Sequence, residues 1–381
     1  MRLLIAFDKF KDSLTALQAC EIAARALRAR HPDWELDLCP LADGGDGFVE
    51  ILTRAAGGRR ENFPVTGPRG GQVEAPIGLV PAANIPPAAR ALLGLRAPEG
   101  TVAVVEMASA SGLALLAPED RDPWQATSYG TGQLIRLAAE LHASLILLGV
   151  GGSATHDLGL GALAALGLEF RSADGRRLRL PVPVLWPELA RIEGGVFSAL
   201  PPIRIACDVS NPLLGSNGAA AVFGRQKGLK PGDADRLEAE SARVAAQLCA
   251  HSGQPVALAA TPGGGAAGGI AFGLMAAARA RLLPGFALVT AWLDLEARIA
   301  AAAAVITGEG RFDESSLGGK GPGAIAARAR ALGKPVHIFA GQVQGRVDGA
   351  FHHAITPDGI PLGQALREAR SYLAAAVERA F

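Results

Sequence analysis

The sequence contains few of the residues that mark disulfide-rich, metal-binding or membrane proteins. Only four of its 381 residues are cysteines, and none of them forms a CxxC pair or has metal-ligand spacing. So few unpaired cysteines are typical of core thiols in a reduced compartment. No apolar run reaches about 18 residues without a charge, so a membrane-spanning helix is not expected.

An excess of charge of either sign is also missing. The 37 lysines and arginines balance 36 aspartates and glutamates, which leaves a net charge of +1. Nucleic-acid binding usually needs a basic patch, and none is present, so local groups must hold any anionic ligand. The opening residues MRLLIAFDKF predict a strand rather than a signal peptide. We therefore expect a cytoplasmic protein that binds neither nucleic acid nor membrane, and its oligomeric state stays open.

Glycine, in contrast, is abundant, with 48 residues, and hydrophobic residues make up 49% of the chain. This composition is that of an ordered protein with a large core, and the length suggests two domains. The glycines fall in clusters that follow apolar runs, at residues 44–47, 149–152, 263–269, 308–310 and 318–323. Such clusters mark places where the backbone turns sharply or approaches a ligand.

The order of predicted elements indicates an α/β protein. Strand, helix and strand succeed one another from Leu3 to Cys39, with Ser13 as the predicted helix cap, and the alternation returns after Ala303. It predicts a flavodoxin- or Rossmann-like doubly wound parallel sheet formed by both termini, from residues 1–65 and 285–381.

The middle of the chain has a different pattern. Prolines, glycines and alternating residues at positions 62–105 predict an antiparallel ribbon, and further strands and helices follow. We therefore expect residues 66–284 to form a second α/β domain inserted in the first. A cleft between the two domains is the predicted ligand site.

Charged residues follow three predicted strands of the first domain. Lys11 lies after the first strand at a helix start, which favours an anionic group. Asp43 lies in a Gly-rich segment after the second strand, whose two carboxylates suit Mg²⁺. The carboxyl ends of parallel strands line the ligand crevice, so these positions indicate function, although solvated loops, an Asx-turn and a surface salt bridge are alternatives. The densest cluster follows a later strand and contains Glu309, Arg311, Asp313 and Lys320.

A glycine-rich loop in the second domain has two interpretations. Residues 149–154 fit the G-x-G-x-x-A fingerprint of dinucleotide-binding folds, and Glu169 lies about 20 residues further on. This pattern predicts an NAD-dependent oxidoreductase. Asp157 beside the loop favours a metal instead, and donors such as Ser153 suit any phosphate.

Two further segments of the second domain carry candidate groups. Asp208 follows an apolar run and is another carboxylate at a predicted strand end. The run of glycines and alanines at 263–269 precedes an apolar helix, which predicts a phosphate cradle. Close packing of the helix start is the alternative for this run.

The types of charge favour one class of chemistry. Phosphoryl transfer needs cations for phosphate, carboxylates for Mg²⁺ and a base or orienting group near the hydroxyl, and all three follow predicted strands. The seven histidines fit a catalytic or metal centre poorly, and no G-x-S-x-G elbow is present. The residues favour a kinase, and an NAD-dependent oxidoreductase and a non-catalytic binding module stay open as alternatives.

Several stretches, taken together, resemble the two-domain bacterial glycerate kinase family. They run in the family's order over nearly the whole chain and read DKFKDSL, ADGGDG, VEMASASGL, TSYGTGQLI, GVGGSATHDLG, CDVSNPLLG, AVFGRQKG, GGGAAGG and ITGEGRFDESSLGGKGP. The resemblance implies use of ATP and Mg²⁺, D-glycerate as substrate and 2-phosphoglycerate as product. It also agrees with a split first domain.

The resemblance and the positions after strands together give the expected site. The expected catalytic residues are Lys11, Asp43, Asp208 and Asp313. Glycerate is expected to contact Arg311, Lys320 and Ser153. The nucleotide is expected at Gly151, Gly152, Gly264, Gly265 and Glu309, and the metal at Asp157 and Asp43.

The chain departs from the family's usual motifs at three places. Lys9 and Asp12 replace a serine and a glycine of the first loop, and Ser315 replaces a glutamine. His156-Asp157-Leu158-Gly159 stands where the family usually has Asn-Asp-Gly-Gly. A kinase of a related hydroxy acid, such as tartronate or hydroxypyruvate, therefore remains an alternative.

Overall fold

A computed structural model describes residues 1–318 and 321–381 of the protein. Within them the strands are β1 (Arg2–Phe7), β2 (Glu35–Leu38), β3 (Arg59–Thr66), β4 (Gln72–Pro81), β5 (Thr101–Glu106), β6 (Leu145–Gly149), β7 (Glu169–Ser172), β8 (Leu189–Glu193), β9 (Ile203–Ala206), β10 (Arg281–Leu283), β11 (Ala304–Phe312), β12 (Val336–Val343) and β13 (Phe351–Ala354). The helices are α1 (Ala16–Arg30), α2 (Phe48–Ala55), α3 (Pro87–Leu93), α4 (Met107–Ser111), α5 (Tyr129–Glu140), α6 (Leu160–Ala165), α7 (Ala219–Phe223), α8 (Ala234–Ser252), α9 (Ala266–Ala278), α10 (Gly285–Trp292), α11 (Leu295–Ala301), α12 (Gly321–Ala331), α13 (Leu362–Arg367) and α14 (Ala369–Ala380).

The chain divides into two compact units. The first unit holds residues 1–43 and 289–381, and the second holds residues 44–288. The sequence assigned residues 44–65 to the same domain as the termini. In the structure α2 packs on β4 and β5, and β3 pairs with β4, so this segment lies with the second unit. No helix within the described ranges is both long and apolar enough to cross a membrane.

The first unit is built on a parallel sheet of order β13-β12-β11-β1-β2. The apolar run of β1 is buried from Leu3 to Phe7, as expected for a parallel strand covered on both faces. Ile5 and Phe339 belong to a core with α1 and α14, and α11 and α12 contact the sheet strands as well. The prediction of a doubly wound parallel sheet formed by both termini is confirmed.

The predicted cap of α1 was wrong by two residues. Thr15 Oγ1 accepts a hydrogen bond from the Gln18 amide, and Gln18 Oε1 accepts one from the Thr15 amide. This reciprocal pair is a capping box, which satisfies amide groups that the first helical turn leaves free. Ser13 instead donates to the carbonyl of Phe10 in the preceding turn.

The second unit is built on a mixed sheet of order β10-β9-β6-β5-β4-β3. β3, β4 and β5 are antiparallel neighbours, whereas β5, β6, β9 and β10 are parallel. The predicted antiparallel ribbon and the inserted α/β domain are therefore both present. A large core beneath this sheet includes Trp186 and Phe272.

A buried histidine ties the loop after β6 to α8. The Nε2 atom of His156 lies 3.0 Å from Ser241 Oγ, and the Ser241 hydroxyl donates to the carbonyl of Leu237 at 2.7 Å. Since that hydroxyl has only one hydrogen, Nε2 of His156 carries the proton and Nδ1 is left as a buried acceptor. Burial lowers the pKa of His156 to about 3, with a smaller effect of Lys227, so the ring stays neutral.

Replacing this histidine should make the fold less sensitive to acid. Below pH 6.5, the ordinary pKa of a histidine, the unfolded chain binds a proton at His156, whereas the folded chain does so only at a pH of about 3. The native state therefore loses about 1.4 kcal/mol of stability for each pH unit of acidification in this window. Urea unfolding at a series of pH values should show a shallower loss for His156→Asn than for the wild type.

His142→Asn is the matched control. His142 is exposed and has a φ of 59°, a conformation that asparagine accepts readily. Its substitution should leave the acid dependence of the wild type in place. Identical dependence in the wild type and His156→Asn would contradict the assignment of a neutral buried ring.

Candidate functional site

In the first unit, the charged residues gather where β1, β2 and β11 end. Phe7 pairs with Gly308, so β11 continues beyond the end of β1. Asp8 follows directly and donates its amide to the Gly308 carbonyl at 3.0 Å. Glu309 therefore lies at the same edge as Asp8, as the carboxyl ends of parallel strands require.

Carboxylates at this edge disfavour one another's ionisation. Burial raises the pKa of Asp8 to about 7, and the charges of Asp43 and Glu309 add to the rise. Burial also raises the pKa of Glu309, a side-chain hydrogen bond with Ser316 opposes this rise, and the charges of Asp313 and Asp43 add smaller contributions to it. Glu309 Oε1 is buried and finds no hydrogen-bond partner among the described residues. Such a group of like charges is stabilised by a bound cation.

Arg311 is the prominent cation of this edge. Its Nε atom lies 3.1 Å from Asp313 Oδ2, and its Nη2 atom donates to Gln344 Oε1 at 2.6 Å. The Asp313 amide in turn donates to Ser316 Oγ at 3.1 Å. Lys11 is exposed near Gly310, where an added Cβ would lie 3.1 Å from the Lys11 backbone nitrogen. Lys320 lies outside the described residues.

In the second unit, the loop after β6 packs tightly on its neighbours. A Cβ at Gly151 would lie 2.7 Å from the Gly45 Cα, and Gly152 has a left-handed φ of 71°. The run at 263–269 is also tightly packed. A Cβ at Gly265 would lie 2.2 Å from the Pro212 carbonyl oxygen, whereas one at Gly264 would lie 3.0 Å from the Thr261 carbonyl oxygen. Close backbone packing accounts for glycine at Gly151 and Gly265.

The dinucleotide interpretation of this loop is wrong. In dinucleotide-binding folds the glycine fingerprint itself opens a helix after the strand. Here β6 ends at Gly149, and the next helix, α6, begins only at Leu160. The glycines instead serve a long bend that carries Asp157.

Asp157 is enclosed in the protein. It is fully buried, and its oxygens accept hydrogen bonds from the amides of Ser128, Gly159 and Gly161 and from the Ser128 hydroxyl. Burial raises the pKa of Asp157, and these hydrogen bonds oppose the rise. The oxygens of Asp157 therefore hold the starts of α5 and α6, and its assignment to the metal stays a prediction.

Asp208 has a comparable partner at the end of β9. Its Oδ2 accepts a hydrogen bond from the Phe286 amide at 2.8 Å, at the start of α10. Negative charge is favourable at a helix N-terminus, where amide groups lack intrahelical partners. This half-buried carboxylate therefore stabilises a helix start in addition to any role with a ligand.

Two charged residues of the second unit escaped the sequence prediction. Glu106, buried at the end of β5, accepts a hydrogen bond from the Val49 amide at 2.9 Å and so caps α2. Lys227 is only 2% exposed, and its ammonium donates to Ser153 Oγ at 2.9 Å and to the Thr155 carbonyl at 2.7 Å. The sequence could have indicated Glu106, because this glutamate ends the apolar run VAVVE. No local sequence pattern indicates that a lysine such as Lys227 is buried.

The buried lysine has a perturbed ionisation. Burial lowers the pKa of Lys227 to about 7, and the negative charge of Asp157 opposes this. Perturbed groups of this kind are concentrated at functional sites, although structural networks also contain them. The second unit therefore presents one buried cation beside the loop that follows β6.

Comparison with known proteins shows the family to which this chain belongs. A model of the glycerate kinase family matches residues 3–381. Glycerate kinase of Haemophilus influenzae is 38% identical over 361 residues, covering 93% of this chain and 89% of that protein. Glycerate 2-kinase of Escherichia coli K12 is 37% identical over 361 residues, again covering 93% and 89%.

A solved structure agrees with these relatives. The crystal structure of a chain from Salmonella typhimurium LT2, described there as glycerate kinase 2, matches this fold with a TM-score of 0.77 at 38% identity. The match covers 100% of this chain and 97% of that chain. The chain therefore belongs to the glycerate kinase family and is an enzyme, a phosphotransferase that acts on an alcohol group.

Proposed function

We propose that the protein phosphorylates D-glycerate with ATP and Mg²⁺ and that the product is 2-phosphoglycerate. The observation that carries the proposal is the match to the glycerate kinase family over residues 3–381. The name of the E. coli relative, glycerate 2-kinase, supports the 2-hydroxyl as the acceptor. The chemistry of the side chains in each unit supports the nucleotide and the metal.

The carboxylates of the first unit fit a hard cation. Asp8 and Glu309 have raised pKa values, and Glu309 Oε1 is a buried acceptor without a partner in the described parts of the chain. Mg²⁺ commonly takes one or two carboxylates and completes its shell with water and phosphate oxygens, so two carboxylates of this edge would be enough to hold it.

We assign Asp43 and Asp313 as the metal-binding carboxylates, with Glu309 beside the nucleotide. When bound, Mg²⁺ would offset negative charge on the phosphate oxygens during transfer. Lys11, which is exposed after β1, supplies a positive charge for the same phosphates. The Gly152 amide would donate to the nucleotide. The amides of Gly151, Gly264 and Gly265 already donate to the carbonyls of Gly44, Thr261 and Asn211, so these three glycines would serve the nucleotide by letting the backbone approach it closely.

We assign Arg311 and Ser153 to glycerate. Asp313 and Gln344 hold the guanidinium through Nε and Nη2, and an arginine has five N–H donors in all. The remaining donors form the planar fork that binds a carboxylate at two points. Lys320 remains a proposed contact of the same carboxylate. Asp208 is retained as a further catalytic candidate, because it follows β9.

A panel of acceptors tests the proposed reaction directly. Coupled ADP release should be fastest with D-glycerate and slower with tartronate or hydroxypyruvate, and phosphorus NMR should place the new phosphate on carbon 2. Omitting Mg²⁺ should abolish turnover. ADP release with another hydroxy acid but not with D-glycerate would reject this substrate, and a 3-phosphate product would reject the position.

Asp43→Asn and Asp313→Asn should each lower kcat by about 100-fold, as loss of one charge-stabilising group usually does. Both should also require more Mg²⁺ for half-maximal rate, because a metal ligand has lost its charge. Steady-state kinetics across a Mg²⁺ titration measures both effects. Asp33→Asn is the control, since this exposed residue precedes β2 at the opposite end of the strand. Normal turnover in both site variants would refute the assignment.

Arg311→Lys should raise KM for glycerate by about 10-fold and change KM for ATP much less, because lysine cannot form the two-point contact. Arg328→Lys is the matched control, since both arginine side chains are 60% exposed and both pair with a carboxylate. It should leave both constants unchanged. A larger effect on KM for ATP than on KM for glycerate would show that Arg311 binds the nucleotide instead.

A further inference from the structure

Lys227 is buried, which is unusual for a lysine, and none of the roles proposed above involves it. It ends a short helical turn, Arg225–Lys227, that follows α7, and its side chain is almost completely buried. The titratable groups that face it are Asp157 and His156, both on the loop after β6. Neither lies within ion-pair distance of it in the described structure, so its nearest partners are the two neutral oxygens of Ser153 and Thr155.

The charge on Lys227 sets the direction of these hydrogen bonds. In its charged form the lysine has three N–H donors and no acceptor, so Ser153 Oγ accepts from it. The single hydrogen of the serine hydroxyl is then available to another acceptor, on a side chain that is 7% exposed. Ser153 therefore presents a hydrogen-bond donor, strengthened because its oxygen already accepts from a cation.

We propose that Lys227 is a positioning residue for substrate binding. By donating to Ser153 Oγ it makes the serine hydroxyl a donor toward one oxygen of a bound anion, and by donating to Thr155 it holds the loop that carries the serine. The anion is either the carboxylate of the acceptor or a phosphate of the nucleotide. This inference rests on the proposed function and deepens it, because it explains how Ser153 recognises an anion.

The energetics argue against a purely structural role for this charge. A buried ammonium with two neutral partners carries a desolvation cost, which is visible in the pKa of Lys227, lowered to about 7. Methionine has a similar length and no charge, so it would occupy the same space without that cost. An anion bound beside the pair would favour the charged form, so the orientation is strongest when the ligand is present.

The test compares Lys227→Met, Ser153→Ala and the double variant with the full-length wild type. KM for glycerate is measured at saturating ATP, KM for ATP at saturating glycerate, and thermal unfolding for each protein. Each single variant should lower kcat/KM for one ligand by about 10- to 100-fold, the effect of losing a charge-assisted hydrogen bond. The ligand whose KM rises identifies the anion as carboxylate or phosphate.

Two further results separate positioning from structural damage. The double variant should be no worse than the poorer single variant, because both substitutions break one chain of interactions. Lys227→Met should unfold at the same temperature as the wild type or higher. Lys230→Met, a substitution of an exposed lysine three residues further on, should leave every constant unchanged.

Three outcomes would overturn the inference: activity of Lys227→Met within about twofold of the wild type, losses that multiply in the double variant, or equal effects on both ligands with lowered stability. Failure of the proposed function is a separate result, seen as no ADP release by the wild type with glycerate. Thermal-shift titrations with ATP and, separately, with D-glycerate then decide, since a loss of affinity for one of them that both single variants share supports the inference, and unchanged affinity for both overturns it.

Discussion

The parallel pairing of β1 with β11 is the constraint on which the rest of the molecule depends. It joins Leu3 to Ala304 in one register, and the Thr307 hydroxyl donates across it to the Ala6 carbonyl at 2.6 Å. Because the two strands come from opposite ends of the chain, residues 44–288 are left as an insertion with their own sheet. The same register sets Asp8 beside Glu309. The carboxylate cluster is therefore a consequence of topology, which no short segment could create alone.

Much of the fold was predictable, because strands that are buried on both faces of a sheet can be recognised in the sequence. The strands of a covered parallel sheet appear as short apolar runs, and the residues that follow them meet at one edge. The rule draws attention to Lys11, Asp43, Glu309 and Arg311. It does not anticipate that Asp157 is fully enclosed, because it says which residues follow a strand but not whether the chain then folds over them.

The remaining errors have a common physical origin in contacts between distant segments. By sequence pattern, residues 44–65 continue the first βαβ unit, and only the packing of α2 on β4 and β5 assigns them to the second unit. The glycines at 149–152 suit a phosphate as well as a tight turn, and only the atoms around Gly151 identify close packing. Lys227 looks like an ordinary loop lysine until the loop after β6 is seen to cover it.

Three buried titratable side chains of the second unit fix the loop after β6: two lie on the loop itself, and the third, Lys227, packs against it. Asp157 holds the starts of α5 and α6, His156 binds α8, and Lys227 binds the loop backbone at Thr155. Burying such groups costs stability unless they are hydrogen-bonded, so the network constrains the loop to one arrangement that satisfies them. A loop ordered before the ligand arrives loses little conformational entropy on binding. On the proposed assignment of Ser153, such a loop gains affinity at the expense of fold stability, and here the cost falls on buried charges and on the left-handed backbone of Leu158, whose φ is 52°.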